Sequence, residues 1–165
     1  MPSRCADHRQ IEPVPTVPDL LDYMITSTSF AYFDIKCTGT CIDVLATVLE
    51  SYAHNFTERL YLGANSQADV ARIAQLLPDY KRSIVMSVLP SDPDDVDVEN
   101  FNMNFSPIQN DPTFVARANA NNQTVFAWTI NSESGMAEAL SIPVNGVVTD
   151  YPDVFMALRD GRRAK

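Results

Sequence analysis

The sequence predicts an α/β protein built on a parallel sheet of six strands, each followed by a helix or loop. Two patterns predict it. Short apolar runs rich in β-branched and aromatic residues alternate with segments of helical period, which is the βαβα signature of a parallel sheet. No internal repeat or low-complexity linker interrupts that alternation, so residues 13–160 read as one domain, with a disordered N-terminus at 1–12 and a basic tail at 161–165.

The elements follow in order. Thr16 and Asp19 form a capping-box pattern ahead of Leu20, Leu21, Tyr23 and Met24, which predicts a helix with no strand before it. Phe30–Lys36 is the first strand candidate. A helix over 41–53 places Ile42, Leu45, Leu49 and Tyr52 at helical spacing. Arg59–Ala64 reads as a short strand. Ser66 caps a helix running to Leu77, and Pro78 follows its end. Ser83–Val88 is the next strand, then an acidic loop, then an irregular strand over 98–104. Asn110, Asp111 and Pro112 open a helix through Phe114, Val115 and Ala118, since proline near a helix start loses no needed N–H bond. Thr124–Ile130 is the clearest strand. A helix over 132–140, a strand over 146–149 and a helix over 152–158 complete the chain. Arg159, Arg162, Arg163 and Lys165 suit the negative end of that last helix.

Composition narrows the function classes. The 165 residues are 45% hydrophobic and 20% charged, ordinary for a globular domain with a real core. No apolar run approaches the roughly 18 residues a membrane-spanning helix needs. Met1–His8 has no hydrophobic stretch behind its charge and does not read as a secretory signal, which makes the cytoplasm the default expectation. A net charge of −9 speaks against a nucleic-acid or anionic-membrane binder, because phosphates attract Lys/Arg surfaces. Asp92, Asp94, Asp95, Asp97 and Glu99 read as a solvated loop, and their spacing fails the EF-hand pattern. The odd cysteine count, Cys5, Cys37 and Cys41, argues against a disulfide framework, and Cys37 and Cys41 read as loop thiols. Three sequons, at Asn55, Asn104 and Asn122, have meaning only in a secreted chain.

Period alone leaves two folds open. A doubly wound sheet accommodates six strands, whereas a closed (β/α) barrel needs eight and typically about 250 residues. Motifs at the strand ends separate them. The run Val125–Asn131, then Met136, then Val144–Asp153 resembles the closing signature of glycerophosphodiester phosphodiesterases, a Trp-Thr-Val-Asn strand followed by a Gly-Ile-Thr-Asp-x-Pro strand. Pro15–Tyr23 resembles that family's Pro-Thr-Leu helix start, and Phe33-Asp34-Ile35-Lys36 its Ile-Glu-Ile-Lys strand. Phe101-Asn102-Met103 is similar to the fungal phosphatidylglycerol phospholipase C branch. Four weak motifs in the right order are together moderately specific.

The resemblance implies a partial TIM (β/α) barrel with about six of eight βα units, and a phosphoric diester hydrolase acting on a glycerophosphodiester or phospholipid head group. It implies a divalent cation, Mg2+ or Ca2+, held by carboxylates at the C-terminal strand ends, with Asp34 as a ligand one methylene shorter than the family's usual Glu. Sphingomyelinase D-type phospholipases also resemble this chain and also carry Asp at that strand. Lys36, on the same strand, would hold a phosphate oxygen as a point charge. Trp128 would form an apolar wall. Each has a plainer alternative: an Asp34–Lys36 ion pair, a packed Trp128, and Thr149 and Asp150 as caps of the last helix.

In the family, two histidines serve as general acid and base, and their segments precede the helix that starts here at Thr16. His8-Arg9-Gln10 lacks the glycine of the family's His-Arg-Gly motif and reads as a terminal histidine. His54 reads as a helix-end residue facing water. The expectation is therefore an N-terminally truncated barrel, weak or inactive, or a non-catalytic remnant that binds. Two open sheet edges would make such a chain marginally stable or self-associating.

Overall fold

The structure, a computed structural model, describes residues 13–52 and 56–161. Among them, six parallel strands form one sheet in sequence order: β1 Ala31–Ile35, β2 Leu60–Ala64, β3 Lys81–Met86, β4 Asn100–Asn104, β5 Thr124–Trp128 and β6 Gly146–Val147. The helices are α1 Val17–Thr26, α2 Thr40–Ser51, α3 Gln67–Leu76, α4 Phe105–Asn110, α5 Thr113–Ala120, α6 Glu133–Ser141 and α7 Pro152–Arg159. No helix among the described residues is long and apolar enough to cross a membrane.

The sheet curls into a half-barrel. Laid flat, β1 and β5 would stand about 19 Å apart at ordinary strand spacing, yet the rings of Tyr32 and Phe126 are 6.3 Å apart. Register shows which residues share the concave side, because paired residues of parallel strands face the same way. Tyr32 pairs Tyr61 and Lys81; Asp34 pairs Gly63, Ser83, Asn100 and Thr124; Asn102 pairs Phe126 and Gly146; Asn104 pairs Trp128.

The convex side carries the core. Leu60, Leu62, Ile84, Phe101, Met103 and Val125 are buried there at 2% exposure or less. The helices cover them with Leu21 and Met24 of α1, Ile42 and Leu49 of α2, Ile73 of α3, and Phe114 and Val115 of α5. Phe101 and Phe114 meet edge to face at 5.3 Å. Burying such side chains contributes about 1.5–3 kcal/mol each, the main driving force for the fold.

The helix starts follow the sequence. Thr16 N donates to Asp19 Oδ2 at 2.8 Å and Asp19 N to Thr16 Oγ1 at 3.3 Å, completing the capping box. Ser66 and Ser132 cap α3 and α6. Arg59 joins α1 to the sheet: its guanidinium donates to the carbonyls of Met24 and Ser29, at 3.0 and 3.3 Å, and to Ser27.

Three elements differ from expectation. Residues 105–110 form α4, which the sequence reading missed; Asn104 Oδ1 caps it by accepting from Ser106 N at 3.0 Å. The strand expected over 98–104 begins at Asn100, because Val98 is held by a turn to Val96 O. The last strand is only Gly146–Val147, since Thr149 is drawn into a side-chain knot with Asn131. The acidic loop is partly structural: Asp97 and Glu99 grip Arg82 of β3.

Candidate functional site

Asp34 and Lys36 stand at the C-terminal end of β1, and Trp128 ends β5. Tyr32 meets Phe126, and two residues further along each strand come Asp34 and Trp128. Asp34 and Trp128 thus lie toward the same C-terminal end of the parallel sheet, four strands apart and in different register rows, and Trp128 is not among the residues lining the cavity that Asp34 and Lys36 share.

Lys36 Nζ lies 2.8 Å from Asp34 Oδ2, with side-chain exposures of 66% and 42%. The plainer reading, an ion pair, is thus what the backbone builds, and both groups stay open to solvent. Trp128 is half-buried, and its indole N–H donates to Asn102 O at 3.0 Å, so the ring is fixed against β4.

Below this end of the sheet the concave side is polar and aromatic. Tyr32 donates to Ser83 Oγ at 2.9 Å, Ser83 to Asn100 Oδ1 at 2.6 Å, and Asn100 Nδ2 to Thr124 Oγ1 at 2.9 Å. Burial is the main cause that pushes the Tyr32 hydroxyl above its ordinary range. Bonds from Ser83 and Asn102 oppose it, and the charge of Asp34 adds to it. Asn102 is 6% exposed and its Oδ1 has no partner. Sequence reading missed this layer, since isolated Ser and Asn in strands carry no motif; the signal was polar residues alternating through otherwise apolar strands.

A cavity of about 740 Å³ runs along β1 between α1 and α2. Leu20, Tyr23, Phe33, Val44, Leu45 and Val48 make it apolar, and Asp34, Lys36, Cys37 and Cys41 line it as well.

Two expectations are corrected here. Cys37 and Cys41 are not free thiols but form a disulfide, Cα to Cα 6.0 Å. Gly39 between them adopts φ +61°, turning the chain so that the two sulfurs meet. Thr149 and Asp150 stand just before the N-cap of α7, Tyr151, whose own side chain makes no cap bond; Thr149 Oγ1 accepts from Tyr151 N at 3.1 Å, so the capping expectation holds for Thr149 in part and not for Asp150. Both also bind Asn131: Thr149 Oγ1 donates to Asn131 Oδ1 at 3.2 Å, Asn131 Nδ2 donates to Asp150 Oδ2 at 2.7 Å, and Asn131 Oδ1 accepts from Asp150 N at 2.9 Å.

The cation expected from the resemblance finds little here. Among the described residues no three His, Cys, Asp or Glu side chains converge on one point. Asp34 offers one carboxylate, already paired with Lys36, where magnesium or calcium takes about six or more oxygens. Both histidines of the chain, His8 and His54, lie outside the described residues.

Comparison with known proteins places this architecture. In the solved structure of a glycerophosphoryl diester phosphodiesterase from Silicibacter pomeroyi, 92% of this chain superposes with TM-score 0.76 at 19% identity, spanning 58% of that chain. A phosphodiesterase from Oleispira antarctica, solved with its product sn-glycerol-3-phosphate, superposes over 88% of this chain and 61% of its own at TM-score 0.74 and 20% identity. A Bacillus subtilis (strain 168) protein named as a glycerophosphodiester phosphodiesterase is 38% identical over 48 residues, 29% of this chain and 19% of that one. The chain thus spans less than two thirds of these relatives. The glycerophosphoryl diester phosphodiesterase family model matches residues 29–154, from just before β1 into α7, and the chain belongs to that family.

Proposed function

We propose that the chain carries one wall of a phosphodiester-hydrolase site for glycerophosphodiesters or phosphatidylglycerol-type phospholipids, as in the fungal phospholipase branch its Phe101-Asn102-Met103 run resembles. The observation that supports this reading is the solvent-open Asp34–Lys36 pair at the C-terminal end of the sheet, the end toward which Trp128 also lies. Strand C-termini are where such barrels place their chemistry. Lys36 is a compact cation that attracts a phosphate oxygen, and a phosphate would take it from Asp34. Asp34, so released, would offer one carboxylate toward a divalent ion. A single carboxylate is not an ion site, so no step is derived through a metal. Acid–base catalysis is not assigned to a described residue.

A second reading, binding without turnover, rests on the same Asp34–Lys36 pair, because a cation that attracts a phosphate oxygen holds an anion whether or not the ester is cleaved. In either case the open edges of β1 and β6 are proposed sites of association with a further strand or a second copy.

The test offers the chain glycerophosphoglycerol and, separately, phosphatidylglycerol vesicles and sphingomyelin vesicles, with magnesium or calcium. Release of sn-glycerol-3-phosphate from glycerophosphoglycerol, or of diacylglycerol and head-group glycerol phosphate from the phosphatidylglycerol vesicles, lost in Lys36→Met, supports the hydrolase. No turnover but Lys36-dependent binding of sn-glycerol-3-phosphate supports the binding reading. Choline release from sphingomyelin redirects the substrate class. The absence of both turnover and Lys36-dependent binding sinks both readings.

A further inference from the structure

We propose that Cys37 and Cys41 form a reversible thiol–disulfide site that sets the order of the loop carrying Lys36. The pair is bonded, and both residues line the same cavity as Asp34 and Lys36. Cys37 follows Lys36 directly in the chain and is exposed, whereas Cys41 is half-buried in the first turn of α2.

The start of α2 shows why the bond matters. Thr16, Ser66 and Ser132 cap α1, α3 and α6 with side-chain oxygens. The N-cap of α2 is Gly39, which has no side chain to offer. Its Cβ position meets nothing within 4 Å, so the turn around it is not packed in place. The disulfide is therefore what ties the loop after β1 to the first turn of α2. Without it, an uncapped helix start and a glycine turn remain, both prone to fray.

Exposure also sets the direction of exchange. A thiolate from a dithiol reductant attacks Cys37 Sγ, the accessible sulfur, and the Cys41 sulfur leaves as the thiolate. The reductant's second thiol then attacks the mixed disulfide. Cys37 is released, the reductant closes to its own cyclic disulfide, and Cys37 and Cys41 end as two thiols. Two electrons pass, and an oxidised dithiol reverses the step. Loosening residues 37–41 frees Lys36 to leave Asp34, because only that exposed ion pair then holds it.

The experiment compares the full chain poised with oxidised and with reduced dithiothreitol. Iodoacetamide labelling read peptide by peptide in the mass spectrometer is expected to leave Cys37 and Cys41 unmodified in the oxidised form and to modify both in the reduced form. Amide deuterium exchange over residues 37–43 is expected to rise at least about tenfold on reduction, as for a freed helix end, while exchange in α3 and β5 stays unchanged. Cys37→Ser should exchange like the reduced chain under both conditions. Equal exchange over 37–43 in the two forms overturns the proposal, and so does labelling of Cys37 or Cys41 in the oxidised form. Neither readout requires turnover, so the outcome does not depend on the hydrolase reading.

Discussion

The Tyr32 hydroxyl reaches Ser83 Oγ, 2.9 Å away on β3, by crossing β2 at Gly63. The crossing is possible only because residue 63 has no side chain: a Cβ there would lie 2.1 Å from Tyr32 Oη. From Ser83 the hydrogen bonds continue through Asn100 to Thr124, so one thread of polar groups ties β1, β3, β4 and β5 on the concave side. Gly146 does the same for Phe126, whose ring would lie 2.7 Å from a Cβ. Two glycines thus let large rings fill a concavity that a flat row of side chains would leave open.

Gly63→Ala is expected to destabilise the chain by about 1–3 kcal/mol, because the tyrosine ring must leave its bond to make room. Thermal unfolding checks this. The cost should shrink when Tyr32→Leu is already present, since the clash and the thread are then gone; additive losses in that double-mutant cycle would refute the crossing.

Arg59 makes a second testable link, between β2 and the C-terminal end of α1. Its guanidinium fills the carbonyls of Met24, Ser27 and Ser29, groups that a helix end and the loop after it leave without partners. Arg59→Met should cost about 1–3 kcal/mol and raise deuterium uptake across 17–29 more than across α5. Uniform change across the chain would show that α1 is held by its apolar contacts, Leu21 and Met24, rather than by Arg59.

Much of this was legible in the sequence. The capping box at Thr16, the serine caps at Ser66 and Ser132, and the period of Ile42, Leu45 and Leu49 each encode a local rule, and each element formed within a few residues of expectation. What escaped depends on contacts between distant positions. The Asn131 side chain binds Thr149 and Asp150 from 18 and 19 residues away, so a capping rule read locally found Thr149 at the helix start but not the knot that holds both. The Cys37–Cys41 bond needed the positive φ of Gly39, and compartment arguments about cysteine count do not see backbone geometry. The sequence placed Asp34, Lys36 and Trp128 at strand ends. It could not show that the curl of the sheet would bring the rings of Tyr32 and Phe126, four strands apart, to 6.3 Å.

The Asp34–Lys36 pair separates stability from function. Both side chains are largely exposed, so Lys36→Met should change the unfolding free energy by no more than about 1 kcal/mol. If Lys36 holds phosphate, the same variant should weaken sn-glycerol-3-phosphate binding at least tenfold, an outcome read by calorimetry. Reduced stability with unchanged binding would make the pair structural only.

Acid sensitivity follows from three carboxyls. Asp97 is held below the usual carboxylate range by its hydrogen bonds to Arg82 and then by that residue's charge. Asp19 is lowered by Thr16, through its hydroxyl and its backbone N–H. Asp111 is lowered chiefly by Thr113, with Arg117 adding to it. A carboxyl whose folded value lies below its unfolded one favours the folded state above the unfolded value of about 4, and that contribution disappears as pH falls through the folded value. The midpoint of thermal unfolding should therefore be flat from neutral pH to about 5 and fall below about 4. Asp19 and Asp97 are exposed and Asp111 is partly so, so each step is small and screened by salt. Arg82→Met removes the partner of Asp97, and the acid slope of that variant should be shallower than that of the parent chain at low ionic strength. An equal slope in both would place the acid sensitivity elsewhere, in Asp19 and Asp111, where Asp19→Asn and Asp111→Asn would then have to flatten it.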